Sequence, residues 1–243
     1  MMTDEIREMC KPLRLAYVAE VYDQIPFESP EQYLKELFEE EVRLREEAKA
    51  ERLIKKARFL SSKNIEDFHW DPSILLPDHL THEDLASLNF IRNIENVVLS
   101  GSPGTGKTHL ATALGRLACQ SGFEVRFFRV SELVEGLEKA WREDKLQSFR
   151  NRFAKVDLII LDEMGYIPFS KEGAELLFQC VTDWYEQKSL IITSNLEFSQ
   201  WNRIFSDPRL TAALVDRIIH HAHLISFTGQ SYRVTHALST KKT

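Results

Sequence analysis

Residues Gly101, Ser102, Pro103, Gly104, Thr105, Gly106, Lys107 and Thr108 form the run GSPGTGKT. It fits the pattern G-x-x-x-x-G-K-[ST], whose chemistry is the binding of phosphate. Successive backbone N–H groups close around phosphate oxygens only where the chain takes conformations open to glycine. A helix that starts at the lysine adds more N–H donors and the positive end of its dipole. In such a loop the Lys107 ammonium lies against the β and γ phosphates of a nucleoside triphosphate, the Thr108 hydroxyl ligates magnesium, and His109 ends the binding stretch.

Magnesium also needs a carboxylate, and hydrolysis needs a positioned water. The segment VDLIILDEMG supplies both: the apolar run Leu158 to Leu161 ends in Asp162 and Glu163. At the carboxyl end of a parallel strand, Asp162 would hold the metal and Glu163 would polarise the attacking water. A third polar group, Asn195, ends the run IITSN, where an amide could orient water or the γ phosphate. Taken alone, that Asn reads as a turn former after a strand; in combination with the loop and the acidic pair it reads as a polar sensor.

These groups can meet only if a parallel sheet carries them to one edge. From residue 96 onward, short apolar runs alternate with helical patterns. NVVLS (96–100), EVRFFRV (124–130), VDLIILD (156–162), SLIITSN (189–195) and HLISF (223–227) read as strands. KTHLATALGRLACQS, SELVEGLEKAW, KEGAELLFQCVTDWYEQ and PRLTAALVDRII between them read as helices. The fold class predicted is α/β, a five-stranded, mainly parallel sheet covered on both faces. Residues 1–60 contain no glycine and read as a small all-helical N-terminal domain, with Ser29 as an N-cap and Pro30 in the first turn of its longest helix. Residues 61–95 read as a connector carrying short elements, in which two prolines prevent a continuous helix. Residues 96–243 form the remaining domain.

The 243 residues, 43% apolar and 28% charged, suit a globular chain with a full core. No apolar run spans a bilayer and the N-terminus lacks the core of a signal peptide, so a cytoplasmic protein without a membrane partner is expected. Cys10, Cys119 and Cys180 are far apart and read as buried thiols. The net charge of -6 does not advertise nucleic-acid binding. A local basic stretch, Arg43, Arg45, Lys49, Arg52, Lys55, Lys56 and Arg58 against Glu46, Glu47 and Glu51, reads first as a solvated helix face and second as a contact for DNA or a partner. The histidines of HHAH (220–223) show no companion ligands for a metal. Trp141, Trp184 and Trp201 read as core or interface rather than as platforms for bases.

With these motifs the chain resembles the AAA+ class of P-loop ATPases and, within it, the IstB-like ATP-binding helpers of bacterial insertion-sequence transposition. The DnaC-type helicase loaders are similar. Besides the loop and the acidic pair, the resemblance rests on REMCKPLRLAYVAEVY, ACQSGFEVRFFRVSELVEGL and ALVDRIIHHAHLISFTGQSYR. It implies Mg2+ and ATP as cofactors, Gly101 to Thr108 as Walker A, Asp162 and Glu163 as Walker B, and Asn195 as sensor 1. It further implies a catalytic arginine reaching the γ phosphate of a neighbouring subunit, best matched by Arg217, with Arg209 and Arg203 as lesser matches. The other reading of Arg217 is a surface ion pair with Asp216 or Asp207. Residues 196–243 leave little room for the helical lid common in the class, so no separate lid is expected; Arg233 is a weak match to sensor 2. The partners implied are duplex DNA, the transposase of the same element and further copies of this chain, with ATP at subunit interfaces. The alternative function is that of a replicative helicase loader. A small-molecule kinase, the third reading, lacks an acceptor site and a lid.

Overall fold

A computed structural model describes residues 2–165, 168–205 and 207–232. Arg233 and the rest of the C-terminus lie outside the described residues.

The N-terminal part forms helices α1 (Met2–Leu13), α2 (Val18–Val21) and the long α3 (Pro30–Ala57). Ser29 caps α3, its hydroxyl accepting from the Gln32 N–H at 3.2 Å, and Pro30 takes the first turn, where no N–H is needed. Glu41 is buried on α3 and accepts the N–H groups of Tyr17 and Val18 at 2.7 and 2.8 Å, which ties the start of α2 to the long helix. Arg45 pairs with the same carboxylate. Along the basic stretch, Arg43 pairs with Glu40 and Glu47, and Lys56 reaches Glu124. Lys49, Arg52, Lys55 and Arg58 stay exposed, and among the described residues they form no ion pair.

Residues 61–95 hold strand β1 (Ile74–Leu75) and the short helices α4 (His82–Ala86) and α5 (Asn89–Arg92). Then follow β2 (Asn96–Gly101), α6 (Lys107–Gln120), β3 (Val125–Arg129), α7 (Val130–Arg142) and α8 (Leu146–Asn151). The series ends with β4 (Leu158–Met164), α9 (Lys171–Trp184), β5 (Ser189–Ser194), α10 (Asn202–Phe205), α11 (Pro208–Ile219) and β6 (Ala222–Phe227). The sheet order is β1-β6-β2-β5-β4-β3.

All five strands expected from the sequence are present and mutually parallel. The sixth, β1, corrects the count of five: it pairs antiparallel with β6, Ile74 opposite Phe227. A strand of two residues, in a short apolar run between Pro72 and Pro77, carries no period from which it could be read. Alternate residues of the central strands feed two cores. Ile159 and Leu161 face α7, α9 and α11; Leu158 and Ile160 face α6, the end of α3 and the buried residues of the connector, Phe68, Leu85 and Phe90. Trp184 and Trp201 are buried in the first core, whereas Trp141 is exposed. No helix among the described residues is long and apolar enough to cross a membrane.

The three cysteines are buried and unpaired. Burial pushes the thiols of Cys119 and Cys180 up, to about 12 and about 11. Because the thiolate is the reactive form, iodoacetamide at pH 8 leaves both unmodified in the native protein and alkylates them in denaturant, as peptide mass mapping would show.

Candidate nucleotide-binding site

The loop leaves the tip of β2 at Gly101, and its three glycines have φ of 140°, 79° and 106° at positions 101, 104 and 106. Neighbours crowd two of them, backbone at Gly101 and a serine side chain at Gly104. A Cβ on Gly101 would lie 2.1 Å from the Phe227 carbonyl oxygen of β6, and one on Gly104 would lie 2.2 Å from the Ser231 hydroxyl. The Tyr232 N–H also donates to the Gly104 carbonyl at 2.9 Å, so the segment after β6 braces the outer turn of the loop. Thr105 closes the loop by donating to the Ser102 carbonyl at 2.8 Å.

Helix α6 begins at Lys107 behind a left-handed Gly106, with no side-chain cap. The first N–H groups of a helix have no acceptor within it, and an anion is their natural partner. Lys107 is 6% exposed and donates to the carbonyls of Gly101 and Ser102 at 2.6 and 2.7 Å. Its ammonium is thus held inside the loop, against two backbone carbonyls. A phosphate oxygen, being charged, is the stronger acceptor for it.

One side chain further, the Thr108 hydroxyl donates to Asp162 Oδ1 at 2.8 Å, which joins the start of α6 to the tip of β4. Since β5 lies between β2 and β4, its own tip residue enters the site. The Thr193 hydroxyl donates to the same Asp162 oxygen at 2.6 Å and accepts the Glu163 N–H at 2.9 Å. The strand register explains this double role. Leu161 pairs with Ile192 and Met164 with Ser194, so Asp162 and Glu163 together face Thr193 in a β-bulge. Glu163 takes a left-handed backbone, φ 62°, at a cost of about 1 kcal/mol for a residue with a side chain. The bulge separates the two carboxylates by environment: Asp162 is buried, whereas the Glu163 side chain is 47% exposed.

Glu163 is not isolated. Arg129, the last residue of β3, lies with Nε 3.7 Å from Glu163 Oε2 and with its Nη1 3.7 Å from Glu132 Oε1. Both contacts are long and open to water, so they bias the carboxylate without locking it.

Of the residues singled out from sequence, the fold brings together Gly101 to Thr108, Asp162 and Glu163. Asn195 follows β5 at the same edge and is half-buried; the polar contact to the acidic pair comes instead from Thr193. His109 meets the Phe68 ring edge-on at 5.2 Å, and its Nε2 is buried without a partner among the described residues. Burial, helped by Lys63, holds its pKa below the usual histidine value.

Arg217 is not part of this site in its own chain. It shares a cleft with Asn96 and Leu190, at the starts of β2 and β5, the sheet edge opposite the loop. There its guanidinium stacks over Phe178 at 5.0 Å and Nη1 donates to the Ala213 carbonyl at 2.9 Å. Among the described residues it pairs with neither Asp207 nor Asp216. Arg203 and Arg209 are exposed on α10 and α11.

Sequence reasoning missed Thr193 and Arg129. Each is a polar residue ending an apolar strand, the same signal that singled out Asp162. Replacing Thr193 with valine, a near-isostere, leaves the Asp162 carboxylate and the Glu163 N–H each short of a partner. The expected cost is about 1–3 kcal/mol in urea unfolding, with a lower rate of any hydrolysis.

A β6-β2-β5-β4-β3 parallel sheet, with a glycine-rich loop running from β2 into α6 and an acid at the tip of β4, defines a P-loop NTPase of the AAA+ type. The family model for IstB-like ATP binding proteins matches residues 15–240, and the chain belongs to that family. It is 38% identical over 196 residues, 80% of this chain and 77% of the relative, to a protein named as ATP-binding in insertion sequence IS232 of Bacillus thuringiensis subsp. berliner. A similarly named protein of IS5376 from Geobacillus stearothermophilus is 34% identical over 241 residues, 96% of this chain and 95% of the relative. Among solved structures, the DnaC helicase loader superposes with a TM-score of 0.54 at 24% identity, covering 70% of this chain and 99% of the loader. AMPPCP-bound DnaA from Aquifex aeolicus superposes with a TM-score of 0.58 at 20% identity, covering 76% of this chain and a little over half, 56%, of DnaA. These two likenesses concern the fold.

Proposed function

We propose that the protein binds and hydrolyses ATP with Mg2+, and that it serves transposition as a helper that assembles on duplex DNA and recruits or activates the transposase of its element. The observation that carries the reading is the Thr108–Asp162 hydrogen bond, which joins the phosphate loop to the acidic pair in a member of the IstB-like family.

The residues present suit both groups. The uncapped start of α6 and the Lys107 ammonium supply donors for a triphosphate. Thr108 and Asp162 supply the hard oxygen donors that magnesium prefers, and the ion, when bound, neutralises phosphate charge. Lys107 would exchange its two carbonyls for phosphate oxygens. Thr193 keeps Asp162 oriented and fixes the Glu163 backbone, so that Glu163, at the solvent side, can polarise the attacking water. Asn195, the residue after β5, would orient that water or the γ phosphate.

Arg217 lies at the edge opposite the loop of its own chain, so its role at the γ phosphate requires a second copy. ATP at such a junction acts as assembly glue, and hydrolysis releases or remodels the complex. The exposed Lys49, Arg52 and Lys55 on α3, with Arg58 at its C-cap, offer contacts to the DNA backbone, which would weaken steeply with salt.

The test is DNA-stimulated ATP turnover combined with subunit mixing. Lys107→Ala and Arg217→Ala proteins, each inactive alone, should recover turnover when mixed, since one donates the arginine and the other the intact loop. Absence of recovery while both retain their fold removes Arg217 from the site. Retention by the immobilised transposase of the same element, in preference to a replicative helicase, separates the transposition role from that of a helicase loader.

A further inference from the structure

We propose that Glu186, His220 and His221 form a binding site for a zinc-class divalent cation, separate from the nucleotide site. The three residues come from two distant turns. Glu186 lies between α9 and β5, and His220 and His221 lie between α11 and β6. Both turns feed strands that flank β2, so the sheet order places them at the same edge. One donor atom of each residue lies within 4.8 Å of the other two. The companion ligand that the HHAH run lacks in the sequence is therefore supplied by the fold.

The local structure is consistent with a ligand set. The Tyr185 hydroxyl meets His220 Nδ1 at 2.8 Å, a partner of the kind that orients a coordinating imidazole. Glu186 adopts a left-handed backbone, φ 55°, although it is not glycine. Such strain persists where the surroundings require it. Among the described residues Glu186 forms no ion pair, and its carboxylate shares the Tyr185 hydroxyl with His220, which ties the two turns together. The last histidine of the run is different: His223 Nε2 meets Glu95 at 3.0 Å and its Nδ1 meets His79 at 3.3 Å, so both nitrogens are engaged.

Two imidazoles and one carboxylate suit zinc, with water in the fourth position. They do not suit magnesium, which takes oxygen donors. The site is exposed, so a bound ion can exchange with solution. Its consequence for the fold is specific. Glu186 and His221 line the same cleft as Arg217, and a shared ion would brace the turn after α9 against the end of the helix that carries that arginine. The Arg217 charge opposes the ion, but its guanidinium is held over the Phe178 ring.

The experiment uses the full chain, stripped with chelator and free of nucleotide, titrated with Zn2+ by calorimetry and with Co2+ by visible absorption. One ion should bind per chain, with a cobalt spectrum of tetrahedral intensity and a melting temperature raised by a few degrees at saturating zinc. His221→Ala and Glu186→Gln should each weaken binding at least about tenfold, and excess Mg2+ should not displace the ion. His79→Ala, at the other histidine cluster, should leave it unchanged. Glu186→Gln keeps the size of the side chain, so it stands as the test if the His221 variant folds poorly. Binding no tighter than millimolar, or binding that survives both substitutions, overturns the proposal.

Discussion

Lys107→Ala protein should bind ATP about a hundredfold more weakly than the unaltered chain, measured by fluorescence anisotropy of a labelled nucleotide, and its turnover should fall to background. The ammonium is buried within the loop and held by two backbone carbonyls, at 2.6 and 2.7 Å. In the bound state it would face phosphate charge. Truncating one partner of a buried, hydrogen-bonded charge pair costs about 2–5 kcal/mol, and a hundredfold loss, about 2.7 kcal/mol, lies in the lower part of that range. The fold should survive. The Gly101 and Ser102 carbonyls lose a donor, while alanine suits the first turn of α6, so far-UV circular dichroism should be unchanged. Undiminished affinity in the alanine protein would mean that the loop does not grip the phosphates.

Glu163→Gln should separate binding from turnover. The amide keeps the size of the side chain and loses the charge that polarises water, so kcat should fall about 10²- to 10⁴-fold. ATP affinity should change less than threefold, because Glu163 is neither in the loop nor tied to Thr108. Stability should barely move, since the contact with Arg129 is long and solvated. If assembly on DNA requires ATP, this protein should stay assembled for longer than the unaltered chain, a difference that native gel electrophoresis would show. Normal turnover would remove Glu163 from the water-polarising role.

The loop and the acidic pair are legible in sequence because each combines a residue-type requirement with a boundary: glycines where φ turns positive, acids where an apolar strand stops. The five parallel strands are legible for the same reason, since buried parallel strands are apolar runs of limited length. Thr193 hides because threonine is also an ordinary strand residue. Its importance comes from a bulge in the neighbouring strand, and no local pattern announces which two residues will face one. β1 escapes because two residues show no alternation. The contact of His109 with Phe68, a residue of the connector, is likewise set by the fold and not by spacing. Glu186 and the histidines meet only through the order in which β5 and β6 flank β2. Local chemistry is written in the chain, whereas its partners from other strands are set by topology.

The central claim is that the loop at β2 and the acid at the tip of β4 act as one magnesium–triphosphate site. Calorimetric titration of the unaltered and Asp162→Asn proteins with ATP, each with and without Mg2+, tests it most directly. One nucleotide should bind per chain, more tightly with magnesium in the unaltered protein, and that gain should be lost in the asparagine protein while magnesium-free binding remains. Equal affinity with and without magnesium in the unaltered protein, or no uptake of ATP at all, would contradict it.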